Sequence, residues 1–234
     1  MTRAAFFDAI RPLFGGMMTP GQVTGTEVIL VATAGLPISH RAYLLATVKH
    51  ETAHTMEPIH ERGKRAYFDK YEPGTRIGKR LGNTQPGDGY RFRGRGFVQI
   101  TGRANYARAG QATGADLIGN PDAALNPDLA ARILVRGCGE GWFTGKKLGD
   151  YLPGDYVNAR RVVNGTDKAA EIAMLAEGFE AALRHLGHTV KPQERPVEPA
   201  KPPRAPEGPE TRQTGWALLW RALAGILNAI LRRK

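Results

Sequence analysis

Residues 50–54 read His-Glu-Thr-Ala-His, and a third histidine follows at His60. Two histidines four apart on a helix face one way and can hold zinc, with the glutamate beside the first as general base, the arrangement of a zinc metalloprotease. His50, His54 and His60 also match the longer three-ligand spacing, except that Glu57 stands where a glycine must turn the chain. A glutamate resists that turn, and Pro58 pushes it toward extended backbone. No methionine lies between Met56 and Met174, so a nearby methionine turn is missing too. The same stretch supports a second chemistry that needs no metal. Cleaving a glycosidic bond takes two carboxyl groups, one protonated to release the leaving sugar and one to activate water or attack directly. Glu51 ends an apolar helical run, surroundings that favour a protonated carboxyl and suit a general acid. Beyond the break at Pro58, either Glu57 or Glu61 reaches back as the base.

These residues need a scaffold, and the pattern of the chain predicts a mostly helical one. Thr24 and Glu27 form a capping-box pattern ahead of VILVATAG, and Gly35 with Pro37 stops that helix. Ser39 is expected to cap the next helix, HRAYLLATVKHETAH, which carries Glu51 near its end. Residues 128–137 and 168–185 read as further helices, with Ile172, Leu175, Phe179 and Leu183 as the buried stripe of the last. Between Tyr71 and Gly102 the helical pattern breaks. Gly74, Gly78, Gly82, Gly87, Gly89, Gly94, Gly96 and Gly102 punctuate this stretch, leaving short strand-like pieces such as FVQIT. A glycine-rich excursion inside a helical domain is the natural wall of a cleft.

The whole chain has 234 residues, 41% hydrophobic and 24% charged, enough for one substantial domain and an appendage. The reading is a catalytic body over 1–188, a linker over 189–213 rich in proline, and a basic amphipathic helix over 214–234. In that last segment Arg221, Gly225, Asn228 and Arg232 make one narrow polar stripe. Its short, interrupted apolar run suits a helix lying on an anionic membrane better than a span, with a span and self-association or docking on the body as the other readings. A single cysteine, Cys138, excludes an intrachain disulfide and a cysteine zinc cluster. Asp8 and Arg11 interrupt the apolar run a secretory signal needs, so synthesis and initial retention in a cytoplasm are expected.

The strings HETAHTMEPIHERG, YFDKY and LGNTQPGDGYRFRGRGFVQITGRANY, followed by DYVNARRVVNGTDKAAEIA, resemble the family 19 glycoside hydrolases, the chitinase-like enzymes, and especially their bacteriophage endolysin members. The likeness spans roughly residues 5–188, and GRGFVQITGRANY is its most specific part. It implies a mainly α, lysozyme-like helical hydrolase domain with a small β and loop excursion lining a cleft. It further implies Glu51 as general acid, Glu61 as the base that activates water, and Thr101 as the residue that helps position that water. The spacing around Glu61 departs from that of the plant chitinases, so Glu57 stays open as an alternative base. Gln99, Asn105 and Asn164 match residues that hydrogen-bond N-acetyl sugars, and His50 adjoins the acid. For Gln99 and Asn105 the competing reading is a structural hydrogen bond to loop backbone. Arg93, Arg95, Arg160 and Arg161 either orient the carboxylates or contact solvent. The implied reaction is inversion without a metal or organic cofactor. Carboxyls about 6.5–9.5 Å apart fit it, and about 5 Å points to a covalent retaining route.

The formal charge of +11 decides between substrates of that class. From Arg62 to Arg108 there are twelve Lys plus Arg against three acids, so the cleft wall itself is strongly basic. An anionic bacterial wall is attracted there, whereas neutral chitin gains little. The expectation is therefore peptidoglycan, with chitin as the alternative substrate, no nucleic-acid partner, and a monomer that leaves the host cytoplasm to reach the wall.

Overall fold

A computed structural model describes residues 2–186. The linker and the amphipathic helix expected over 189–213 and 214–234 lie outside the described residues. The helices are α1 (Arg3–Ile10), α2 (Pro20–Ala32), α3 (Ile38–Glu51), α4 (Arg76–Arg80), α5 (Asp88–Arg91), α6 (Arg103–Thr113), α7 (Pro127–Glu140), α8 (Tyr156–Ala159) and α9 (Ala169–Leu186). Two short strands, β1 (Ile59–His60) and β2 (Arg95–Gly96), pair antiparallel with Ile59 opposite Gly96 and His60 opposite Arg95. The expected mainly helical architecture with a small β excursion is present. No helix among the described residues is long and apolar enough to cross a membrane.

At the centre lies α3, buried on nearly every side from Ala42 to Lys49. More than one face of the helix is used, because α3 packs along α9 while α2, α6 and α7 complete the surrounding core. The stripe Ile172, Phe179 and Leu183 of α9 is buried as its 3.6-residue period requires, with Leu175 packed against the core edge. A stacked pair, Tyr43 and Tyr156, ties α8 to α3 with ring centroids 6.1 Å apart.

Several boundaries differ from the sequence reading. The capping box of α2 is formed by Thr19 and Gln22, with Pro20 in the first turn, five residues before the Thr24 and Glu27 pair that imitates it. Pro37, not Ser39, occupies the N-cap position of α3, and Ser39 is buried inside the first turn. The FVQIT segment is not a strand: residues 97–99 turn, and only Arg95 and Ile100 bridge across them.

The helix carrying Glu51 ends at that residue and does not run on to His54. The amide of His54 donates to Lys49 O at 2.8 Å and that of Ala53 to His50 O at 3.3 Å, the paired bonds of a Schellman ending. Ala53 and His54 both have positive φ, 50° and 70°, without being glycine. Tertiary contacts hold them there. Gln22 Nε2 donates to His54 O at 2.9 Å, and Gly25 of α2 lies so close that a Cβ on it would come within 1.8 Å of Met56 O.

A second, smaller core of Phe68, Tyr71 and Leu81 organises the glycine-rich excursion as its own lobe. It is built on a 3-10 turn, Arg65–Tyr71, against which α4 and α5 pack. The lobe turns two of its acids inward. Glu72 accepts from Gly87 N at 2.7 Å and Gly89 N at 3.0 Å, and Asp88 accepts from Thr84 N, Gln85 N and the Arg103 guanidinium. Arg62, Lys64, Arg65, Arg76 and Lys79 remain on its exterior.

Candidate active site

The last residue of α3 places Glu51 in the interior, where its carboxylate meets a guanidinium and not only apolar groups. Arg160, itself 1% exposed, donates from Nη1 to Glu51 Oε1 at 2.6 Å. Arg160 Nε donates to Asp167 O at 3.1 Å, so the guanidinium is anchored at both ends. Asn164 follows on the same turn: its amide nitrogen of the main chain donates to Arg160 O, and its side-chain oxygen accepts from Gly165 N at 2.7 Å. The Asn164 side-chain nitrogen is buried with no hydrogen-bond partner, so two N–H donors remain for an incoming acceptor. His50 flanks this group. Burial lowers its pKa against the pull of Glu51, which keeps the imidazole neutral near pH 7.

Glu61 follows β1 and is held by different partners. Tyr71 Oη donates to its Oε1 at 2.9 Å and the Gly94 amide to its Oε2 at 3.0 Å. Burial raises the Glu61 pKa; the hydrogen bonds from Gly94 and Tyr71 and the nearby Lys70 charge pull it back in part. Gln99, Thr101 and Asn105 join the same region through a chain of bonds. Gln99, at φ 53°, donates both amide hydrogens to backbone, to Ile59 O at 2.8 Å and Gly96 O at 3.0 Å. Thr101 Oγ1 donates to Gln99 O at 2.9 Å, and Asn105 Nδ2 donates to Thr101 O. Left for a ligand or a water are lone pairs of Gln99 Oε1 and Thr101 Oγ1 and, on Asn105, the side-chain oxygen and one N–H. Arg95, 3% exposed, supports the loop through Asp122, Tyr106 Oη and two backbone oxygens.

The expected site residues thus fall into two groups on two bodies of the fold. Glu51, His50 and Asn164 gather around Arg160; Glu61, Gln99, Thr101 and Asn105 gather around β1, β2 and the following turn. Glu57 belongs to neither. It is exposed, with its carboxylate over Gly21 of α2.

The three histidines do not converge. The helix break separates His50 from His54, His54 Nδ1 accepts from the Lys49 ammonium, and His60 Nδ1 faces Arg93 Nη2 at 3.3 Å. Two of the three would-be ligands therefore already have a cation beside them. Among the described residues no group of three His, Cys, Asp or Glu side chains is placed to hold a metal ion. The three-histidine spacing of the sequence is not a three-ligand cluster in the fold.

Sequence reasoning named Arg160 among four arginines that either orient the carboxylates or contact solvent, without singling it out, and passed over Tyr71, Lys70 and the Gly94 amide. The i, i+4 spacing of Tyr67 and Tyr71 was the only local signal for the phenols.

The sequence profile of the family 19 glycoside hydrolases, described as chitinase class I, matches residues 42–133. That range contains every member of the Glu61 group as well as Glu51 and His50. A glycosyl hydrolase family 19 domain-containing protein of Haemophilus influenzae is 47% identical over 58 residues, 24% of this chain and 28% of that protein. An acidic 27 kDa endochitinase of Solanum lycopersicum is 58% identical over 43 residues, 18% of this chain and 16% of its own. The chain spans under a third of the length of either curated relative. Chitinase C from Streptomyces griseus superposes with a TM-score of 0.55 over 82% of this chain and 78% of its own, at 19% identity, a likeness of fold. Residues 42–133 thus match the family 19 glycoside hydrolases, and the helical architecture around them is similar to that of a solved chitinase.

Proposed function

We propose that this protein hydrolyses β-1,4 bonds of N-acetylhexosamine glycans in bacterial peptidoglycan by an inverting acid/base mechanism, in the manner of an endolysin. The observation that carries the reading is the pair of withdrawn carboxylates within the family segment, Glu51 locked to Arg160 and Glu61 held by a phenol and an amide. Glu51, which must take up a proton and release its ion pair with Arg160 before each turnover, delivers that proton to the glycosidic oxygen as the bond from the anomeric carbon breaks. Glu61 takes a proton from the water that attacks that carbon from the opposite face, and the Thr101 oxygen accepts the water's other hydrogen. Neutral His50 and the free Asn164 amide suit contacts with acetamido and hydroxyl groups. No step requires a metal or an organic cofactor.

The substrate class follows from charge. The lobe beside Glu61 spends Glu72 and Asp88 on its own amides and on Arg103, which leaves Asp69 as its one exposed acid against exposed Arg62, Lys64, Arg65, Arg76 and Lys79. Peptide-bearing wall glycan is anionic and gains from that face; neutral chitin does not. Mass spectrometry of products from purified peptidoglycan and from chitin oligomers tests the reading. Hydrolysed reducing ends from peptidoglycan, lost in Glu51→Gln, are the expected result; anhydro ends or an active Glu51→Gln enzyme refutes it. Raising salt should slow hydrolysis of peptidoglycan far more than that of chitin oligomers, since the screening length contracts below about 10 Å above 0.1 M. Chitin remains the second reading, favoured by the name of the tomato relative. The segment over 214–234 is proposed to engage anionic membrane during release from a host cytoplasm; truncation after Ala200 should spare hydrolysis of purified wall and weaken lysis of intact cells.

A further inference from the structure

One 3-10 turn, Arg65–Tyr71, presents three polar side chains to Glu61. Tyr71 Oη donates to Oε1 at 2.9 Å while the Gly94 amide donates to Oε2 at 3.0 Å, so each carboxylate oxygen has its own donor and the plane of the group is fixed. The Glu61 amide returns a bond to Gly94 O at 2.7 Å, which locks the main chain beneath. Tyr67 meets Tyr71 edge to face, centroids 6.5 Å apart at 79°, with its phenol in hydrogen-bonding reach of Glu61 and Tyr71. The Lys70 ammonium lies 3.4 Å from the Tyr67 centroid and 4.8 Å from that of Tyr71. Behind them the turn is anchored: Tyr71 is sealed in the second core, and Asn83 Nδ2 donates to its carbonyl at 2.7 Å while Asn83 Oδ1 accepts from Arg103 N.

We propose that Tyr71 and Lys70, with Tyr67 between them, form the positioning device of the base, holding Glu61 aimed and ionised for attack by water. This rests on the reading of Glu61 as base. Burial works against a charged Glu61, and the groups that oppose it are the Gly94 amide, Tyr71, Lys70 and Tyr67, three of the four from this one turn. Burial and the Glu61 charge also push the Tyr71 phenol far up, so it is a neutral donor near neutral pH. The Lys70 ammonium is itself lowered by burial and raised by Glu61, the reciprocal of its effect on the carboxylate. The small core of the lobe thus sets the orientation and charge of the base.

The test is the pH profile of kcat/KM on solubilised peptidoglycan, whose acidic limb reports the free base. Tyr71→Phe keeps the ring in its core and deletes the donor; the limb should move upward by about one pH unit, the effect of losing one hydrogen bond to a charged group. Lys70→Met should move it the same way, and Lys70→Arg should restore it. Limbs that stay at the wild-type pH in both Tyr71→Phe and Lys70→Met, with activity lowered only in proportion to stability, would overturn the proposal. Glu61→Gln separates this from the parent reading. An inactive, folded Glu61→Gln protein supports the base assignment whatever the limbs do, and an active one overturns that assignment itself.

Discussion

Replacing Arg160 by methionine should cost this protein more stability than almost any other single change. The side chains of Arg160 and Glu51 are 1% and 8% exposed, and their ion pair is 2.6 Å long. Removing one partner of such a buried pair leaves an uncompensated charge, at a cost of about 3–5 kcal/mol. Against a total stability of about 5–15 kcal/mol, that is a large share. With roughly 2–4 °C of melting temperature per kcal/mol for a domain of this size, Arg160→Met should melt roughly 6–20 °C lower. Glu51→Met alone should be similarly damaging, because the guanidinium then loses its carboxylate and keeps only the Asp167 carbonyl. The double variant is the decisive measurement. Replacing both ions by apolar groups of similar volume is often neutral or better, so Arg160→Met with Glu51→Met should recover most of the loss. Urea unfolding of the four proteins gives the coupling free energy. All three variants lose the proposed acid or its anchor, so stability is the readout and activity is not. If the two single changes add within about 0.5 kcal/mol, the pair is not coupled and the account of how Glu51 is held is wrong.

Two further outcomes follow from the packing and charge of the scaffold. Gly25→Ala would put a Cβ 1.8 Å from Met56 O, backbone that can yield only by moving α2 or the Schellman ending; about 1–3 kcal/mol of lost stability is expected, read as a lower melting temperature, and an unchanged one would refute the close approach. At Asp88, burial alone would raise the carboxyl pKa, yet Arg103 and the Gln85 and Thr84 amides outweigh it and hold the group below its ordinary value. A depressed carboxyl stabilises the fold fully above its unfolded pKa of about 3.9 and loses that contribution as pH falls through the folded value. Stability measured against pH should therefore drop below about pH 4 in the wild type and less steeply in Asp88→Asn, with parallel curves as the refuting result.

How much of this could be read in the chain depended on whether the deciding contact was local. Asn126 with Pro127 starts α7 and Gly141, at φ 76°, ends it, all within the helix's own sequence, and the helix lies where its pattern puts it. The stripe of α9 and the glycine-rich break after Tyr71 were equally legible. The start of α2 was not, because Thr24 with Glu27 and Thr19 with Gln22 offer the same local chemistry, and what selects the earlier pair is the contact of Gln22 with His54, 32 residues away. That same contact decides the motif. The helix pattern runs smoothly through His50 and His54, and Ala53 carries no sign of the left-handed turn it makes; the helix stops at Glu51 because α2, through Gln22 and Gly25, holds the chain that follows. For the carboxylates, the residue types were legible and their partners were not. Arg160 is 109 residues from Glu51, and nothing in the sequence distinguishes it from Arg161 beside it, which is exposed. The phenol on Glu61 is ten residues away across a turn with no regular period. The five residues from His50 to His54 therefore admit a zinc site and a metal-free carboxyl site alike, and what the sequence does not show is which distant group the fold brings to Glu51: a guanidinium in place of two more imidazoles.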